Sequence, residues 1–335
     1  MVAMKKLLLK RRRVVKDKPT KTEKISLKLR IGNRVLSWNL RKLTKTMVFM
    51  AIPIALVGSY LWYNRLYLND ERRVWLALNN SMATTSVTRT LTSGGTGNKV
   101  VQYQQFFYAP QAVTKSKVTF SQKSATIETN VATEGVSYLD RQYSRYTLFN
   151  TNQKKPDGSA PSLDAILGKW GKNSQTPEEQ ASARDGYVGE LISLAIFGNF
   201  NAQFRAETIK EMKQSGVYTI DVNGTTRESV EGKQILNVPV TVKLKPFASL
   251  LQKAFVKAGY GAFEPLNPDN FREDSTLGAT FLVDLKSNSL FGVQYGDRQE
   301  KYTGYGVNQQ VVEPTSDITS EDLEKKVRDE ISGVL

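Results

Sequence analysis

Paired carboxylates are the plainest route to catalysis left to this chain, because it contains no histidine and no cysteine. Without them there is no Ser-His-Asp or Cys-His machinery, no thiolate ligand set and none of the usual zinc sites. Paired carboxylates can hydrolyse a glycosidic bond by dividing the acid and nucleophile roles, and the sequence offers Glu178-Glu179 and Glu321-Asp322. Each pair sits in polar, helix-forming sequence and reads as solvated surface rather than as a site. No S-x-x-K occurs, which removes the simplest histidine-free serine mechanism. The stretch SGGTGN (93–98) has no Lys-Ser/Thr behind it, and neither GxxxxGK[ST] nor GxGxxG is present. It reads as a hairpin tip, not a phosphate cradle. No cofactor or metal is expected, and the chain is not read as an enzyme. N-x-S/T triplets stand at Asn79 and Asn223; they matter only where exported chains are glycosylated.

The formal net charge of +15 looks like a nucleic-acid signature until it is located. Residues 1–45 hold sixteen Lys and Arg against Asp17 and Glu23, so nearly all the excess lies there and the rest of the chain is balanced. A basic binding face on the main domain is therefore excluded, and no nucleic-acid partner is expected.

Immediately after the basic stretch, Thr46 to Tyr63 runs TMVFMAIPIALVGSYLWY without a charge. At about 1.5 Å per residue it spans roughly 27 Å, just enough for a hydrocarbon core. Trp38, Arg41, Lys42 and Lys45 mark one membrane interface, and Trp62 and Tyr63, with Tyr67, form an aromatic girdle at the other. The expectation is a cytoplasmic basic tail (1–45), a single transmembrane signal anchor (46–66) in the cell membrane, and an extracytoplasmic domain (70–335). A cleaved leader fits less well, because the basic lead is far longer than an ordinary n-region. Within the tail, Leu36, Leu40, Leu43 and Met47 recur at helical spacing. That suits a helix lying among headgroups, where each Lys or Arg gains about 1 kcal/mol from anionic phospholipid. A plain topology signal accounts for the same charges.

Beyond residue 70 the periodicity alternates between helix and strand. Val74, Trp75, Leu78 and Met82 share a helical face from Asp70 onward. From Thr84 to Phe149 the period is two, with Val101, Tyr103 and Phe107, then Val118 and Phe120, then Ile127, Thr129 and Val131. A turn at Glu134-Gly135 leads to Val136 and Tyr138. Residues 150–184 read as a polar inserted loop with a short helix at 162–170, and YVGELISLAIFGNF (187–200) as an apolar helix too short to span a bilayer. Leu236 to Leu244 alternate cleanly, with Pro239 hinting at an edge or bulge. Phe247, Leu250, Leu251, Ala254 and Phe255 make a helical stripe, residues 278–307 a further meander, and Thr319 with Asp322 caps a last helix. The class is α+β: a large curved antiparallel sheet covered on one face by helices, behind the transmembrane helix.

The opening helix WLALNNSMATTSVT, the meander ending GVSYLDRQYSRYT and the closing VDLKSNSLFGVQYGD…EKYTGYG…VVEP resemble the LolA-like envelope proteins, in particular the mycobacterial LppX/LprG-type lipoproteins. The resemblance covers about residues 70–315. It implies a half-barrel sheet closed by helices over an apolar cavity that holds a lipid chain. The helices at 187–200 and 247–258 would then be the lid, with Leu191, Ile192, Ala195, Ile196, Phe247, Leu251 and Phe255 lining the cavity. Members of that group carry a lipidated N-terminal cysteine, absent here, and the membrane helix would replace it as tether. A related branch senses envelope stress instead of carrying lipid. Two readings stay open. In one the domain holds a lipid or other amphiphile; in the other it is a regulatory or structural domain that binds an envelope protein, and the same apolar helices simply form its core.

Overall fold

The computed structural model describes residues 26–31, 34–63, 69–173 and 176–331, with side chains from residue 49 onward. The chain divides into two compact units, Met1–Tyr67 and Leu68–Leu335. In the first, β1 (Ser26–Ile31) and β2 (Arg34–Asn39) form an antiparallel hairpin that leads into α1 (Leu40–Trp62). The helix expected among headgroups around Leu36 is thus a strand up to Asn39, and helix only from Leu40. The side chains of Trp38, Arg41, Lys42 and Lys45, and all of residues 1–25 and Tyr67, lie outside the described residues. From Phe49 to Trp62 the helix is mainly apolar and exposed, Phe49, Ile54 and Leu56 among the most open. Among the described residues no helix is long and apolar enough to cross a membrane.

The second unit is α+β, built on one large open curved sheet of thirteen strands. After α2 (Asp70–Ser81) come β3 (Ser86–Gly95), β4 (Asn98–Phe107), β5 (Val113–Lys123), β6 (Glu128–Tyr138), β7 (Gln142–Thr151) and β8 (Gly171–Asn173). Then follow α3 (Pro177–Glu190), α4 (Ala202–Gln214), β9 (Tyr218–Ile220), β10 (Thr226–Val230), β11 (Lys233–Lys243) and α5 (Leu244–Lys257). The chain closes with β12 (Thr276–Asp284), β13 (Ser289–Tyr295), β14 (Arg298–Thr303), β15 (Ile318–Thr319) and α6 (Ser320–Ile331). The strand order is β10-β11-β12-β13-β14-β3-β4-β5-β6-β7-β8-β15, with β9 also on β11. Every pairing is antiparallel except β15 on β8. The pairing of β14 with β3 is the long-range step that joins the two meanders.

Local chemistry accounts for most element ends. Asn69 caps α2 by accepting from the Arg72 N–H, and Asn201 caps α4 by accepting from Phe204 N–H. The two acidic pairs have capping work. Glu179 and Thr176 form a reciprocal capping box behind Pro177; at α6 the Thr319 hydroxyl accepts from Asp322 N–H and donates to the Asp322 carboxylate. Pro239 lies on β11 where the neighbour changes from β10 (Lys233–Asn237) to β9 (Val240–Val242). Its carbonyl accepts from Asp221 N–H on that side, so the missing proline N–H falls in the gap between two partners and breaks no ladder bond.

Several expectations are corrected. Glu134-Gly135 is no turn but the middle of β6, where a Cβ at residue 135 would meet Ser116 Oγ at 2.7 Å. The 162–170 helix is a pair of turns ahead of β8. The helix expected at 187–200 is displaced: α3 starts at Pro177, inside the supposed polar loop, and ends at Glu190 with Leu191 as its C-cap. Residues 192–200 are irregular and lie against α2, with an isolated bridge between Ala83 and Asn199. The helix α4 has no counterpart in the expected order, although Asn201, Phe204, Thr208 and Met212 carry a cap and a spacing that encode it.

One face of the sheet carries the main core. Val74, Leu78 and Met82 of α2, Leu251 and Phe255 of α5, and Leu236, Phe281 and Val293 of the sheet form it, with Ala195 and Ile196 of the irregular segment. On the outer face Phe107, Val113, Val136, Tyr138 and Tyr143 make a smaller cluster, against which Trp170 and Val311 pack. Val311 belongs to a strap, residues 304–317, that runs back along this face. Glu313 anchors it, accepting from Arg141 Nε at 2.9 Å and Nη2 at 2.8 Å, and from the Tyr143 hydroxyl. These bonds to Arg141 and Tyr143 hold the Glu313 carboxyl down at about 2.

Replacing Glu313 by Gln is expected to cost about 1 kcal/mol or less at pH 7, because the carboxylate is 43% exposed and solvent screens the pair. A carboxylate with a lowered pKa stabilises fully above its unfolded value and stops doing so as pH falls through its folded one. The gap between wild type and Glu313→Gln in urea midpoints should therefore be open at pH 7 and close between about pH 4.5 and pH 2.

Candidate functional site

A cavity of about 750 Å³ lies between the sheet and the helical layer, within the range of roughly 300–1,000 Å³ typical of small-molecule sites. Its sheet wall is set by the period of two: Arg89, Leu91 and Ser93 of β3, Gln102 and Gln104 of β4, and Ser116 and Val118 of β5. The opposite wall comes from the C-terminal end of α3, residues 192–194, the start of α5, and Leu266 and Phe271 beyond it. The reason for a void is visible in these identities. Serines and glutamines occupy inner-face positions where a filled core would carry large apolar side chains.

At the floor, register assembles a polar cluster. Arg89 pairs across to Gln104 on one side and to Tyr302 on the other, so all three stand in a row on one face. Glu300 is two residues from Tyr302 and shares that face. Gly292 lets β13 and β14 approach here, since a Cβ on it would come 2.5 Å from the Glu300 carbonyl oxygen. Arg89 is 5% exposed and Glu300 2%. The guanidinium donates to Gln104 Oε1 (3.1 Å from Nε and 2.8 Å from Nη2), to the Ile192 carbonyl at 2.8 Å and to the Glu190 carbonyl at 2.5 Å. It stands 3.8 Å from Glu300 Oε2 and 5.0 Å from the Phe106 ring centroid. Glu300 in turn accepts from the hydroxyls of Ser193, Tyr295 and Tyr302. Burial, with the Glu300 charge beside it, pushes the Tyr302 hydroxyl well above its ordinary value and the Tyr295 hydroxyl up to about 12.

Arg89 has a second effect. The last carbonyls of a helix lack partners and carry partial negative charge. The last turn of α3 has no basic residue of its own, and the guanidinium of β3 supplies that cation across the fold. This bonding, with Ser193 turned to Glu300, explains why the helix stops at Glu190 instead of continuing to residue 200.

Glu190 is the unbalanced member. It borders the cavity, yet Arg89 bonds its backbone and not its carboxylate. Its Oε2 and the Ser137 Oγ are both sealed from solvent, and the Ser137 hydroxyl is the side-chain donor beside the carboxyl; neither atom has another hydrogen-bond partner among the described residues. Burial raises its pKa to about 7, against partial opposition from the Arg89 charge and the Ser137 hydroxyl.

Of the residues expected to line a cavity, Ile192 and Phe247 do so. Leu191, Ala195, Ile196, Leu251 and Phe255 are buried in the main core. Trp62 and Tyr63, expected at a membrane interface, are 56% and 46% exposed. The polar floor was not foreseen. Its signal was nonetheless present: Val87, Arg89 and Leu91 share one phase of a strand, as do Glu300 and Tyr302, so a charge stands where the pattern requires an apolar residue.

No family model matches the chain, and no curated protein does. Among solved structures, LprF from Mycobacterium bovis aligns over 73% of this chain and 97% of its own, at 11% identity and a TM-score of 0.38.

Replacing Arg89 by Met should cost about 3–5 kcal/mol in urea unfolding, because Glu300 would be left buried without its cation. The double variant Arg89→Met/Glu300→Gln should recover part of that loss. Glu190 acts with the opposite sign to Glu313. Its pKa is raised on folding, so its contribution is fully present below the ordinary carboxylate value, near 4.5, and is lost as pH rises through about 7. Wild-type stability should fall between pH 5 and pH 8 relative to Glu190→Gln; parallel pH profiles of the two would refute the assignment.

Proposed function

We propose that this protein is a membrane-tethered binding protein that holds one lipid or similar amphiphile in the cavity between its sheet and helices. The observation that carries this reading is the cavity itself, with about 750 Å³ of space and walls of two kinds. Leu194, Phe247, Leu266 and Phe271 offer apolar surface to a chain, while Arg89 and Glu300 on the sheet and Glu190 at the end of α3 supply polarity. Ligand sites of this size combine mostly apolar walls with a few placed polar groups that fix orientation. A binding role, not catalysis, also fits the chemistry. Glu179 and Asp322, from the two acidic pairs weighed for catalysis, serve helix caps, and Glu300 is engaged by Arg89 and three hydroxyls.

The tether proposed is the apolar run Thr46–Tyr63 as a single span of the cell membrane, its N-terminus cytoplasmic and the sheet domain outside. The placement of nearly all excess positive charge before that run supports this orientation. The basic tail would then lie against anionic phospholipid headgroups.

Native mass spectrometry of the full chain, extracted from membranes and released from mild detergent, tests the ligand. Extra mass that is lost on denaturation and partitions into organic solvent is the expected result; a clean apo mass with no uptake of added amphiphile refutes it. For the tether, resistance to alkaline extraction, with residues 70–335 digested only from the outer side of intact cells, is expected. Release at alkaline pH would refute the span.

A further inference from the structure

The charges around the cavity do not balance. Arg89 and Glu300 are almost fully buried and offset one another at 3.8 Å, with the hydrogen-bonding capacity of both taken up by the protein. Glu190 has only the Ser137 hydroxyl beside its carboxyl, and Arg89 does not bond its carboxylate. The groups around its carboxyl are Arg89 on β3, Tyr187 one turn back on its own helix and Ser137 on β6. Elsewhere on the cavity wall stand Glu300, Tyr295 and the exposed rim residue Arg298. Arg89 is committed to the backbone carbonyls of Glu190 and Ile192. The cavity therefore holds one buried carboxyl whose charge nothing in the empty protein fully neutralises.

We propose that the ligand is a single-chain amphiphile with a protonated amine head, its ammonium set against the Glu190 carboxylate and its chain laid along Ile192, Leu194, Phe247, Leu266 and Phe271. This rests on the ligand-binding reading above and names the headgroup. An ammonium neutralises the carboxylate and brings it charged donors that the Ser137 hydroxyl does not supply. A carboxylate head would instead place like charges together in a low-dielectric space, and an alcohol would supply a hydrogen bond without the charge. With Glu190 half-protonated near neutral pH in the empty cavity, a cationic head displaces its proton. Binding then tightens as pH rises and releases a proton into solution.

The test uses the full chain in lipid nanodiscs, with empty nanodiscs as the blank, titrated calorimetrically with octylammonium, octanol and octanoate at pH 5.5 and pH 8.5. The amine stays charged at both values, so the change reads Glu190. A carboxyl with pKa about 7 changes its ionised fraction by roughly 30-fold over that interval, and octylammonium should tighten by up to that factor. Octanoate should not bind at pH 8.5. Glu190→Gln should abolish the pH effect and weaken octylammonium at least tenfold while leaving octanol unchanged. Octanol and octylammonium binding alike at both pH values, or octanoate binding best, overturns the headgroup assignment and leaves the ligand-binding reading standing. Uptake of none of the three overturns both.

Discussion

The second unit is organised around the buried guanidinium of Arg89. Arg89 sits on the strand that joins the two meanders, and its guanidinium reaches four other segments: Gln104 on β4, Glu300 on β14, and the carbonyls of Glu190 and Ile192. A buried guanidinium is tolerable only when its donors and its charge are both answered. That requirement couples the sheet's register to the position of a helix end. If β14 slipped by one residue on β3, Glu300 and Tyr302 would turn to the other face, and Arg89 would lose its counter-charge. The cluster contributes specificity of arrangement more than net stability, since desolvating two charges offsets much of what their attraction returns.

The cavity follows from the same arrangement. Arg89 stops α3 at Glu190 and draws the following segment down, so only the end of α3 and the start of α5 face the serines and glutamines of β3, β4 and β5. Those small and polar side chains do not fill the space themselves. The leucine and isoleucine positions that look like a lid in the sequence are instead held in the core beneath α2 and α5. What remains is a pocket with apolar surface on one wall and committed polarity on the other, with Glu190 as its one unanswered group.

Charge is used differently in the outer parts of the molecule. At the surface it sets ends and straps: a capping box starts α3, Asp322 with the Thr319 hydroxyl starts α6, and Glu313 ties residues 304–317 to the outer face through Arg141 and Tyr143. In Met1–Tyr67, by contrast, positive charge is massed without counter-ions along the sequence. Two acidic groups thus shift in opposite directions for opposite reasons. Glu313 is held low by a partner at the surface, while Glu190 is raised by burial away from one.

The sequence alone determined whatever depends on neighbours a few residues apart. The charge partition at residue 45, the alternation in β4, β5 and β11, and the faces and caps of α2, α5 and α6 were all legible, because periodicity and capping are local. The displaced α3 shows where locality ends. Its true start was written in Thr176, Pro177 and Glu179, but an apolar run downstream outweighed that signal, and its end depends on a cation a hundred residues away. Gly135 misled in the same way, since glycine marks a turn in isolation and here marks close packing between strands. The polar floor belongs to the tertiary structure entirely. Residues 89, 104, 190 and 300 meet only because β14 pairs with β3, and no local pattern encodes that pairing; only desolvation, which acts after the chain has closed, gives Glu190 its unusual proton affinity.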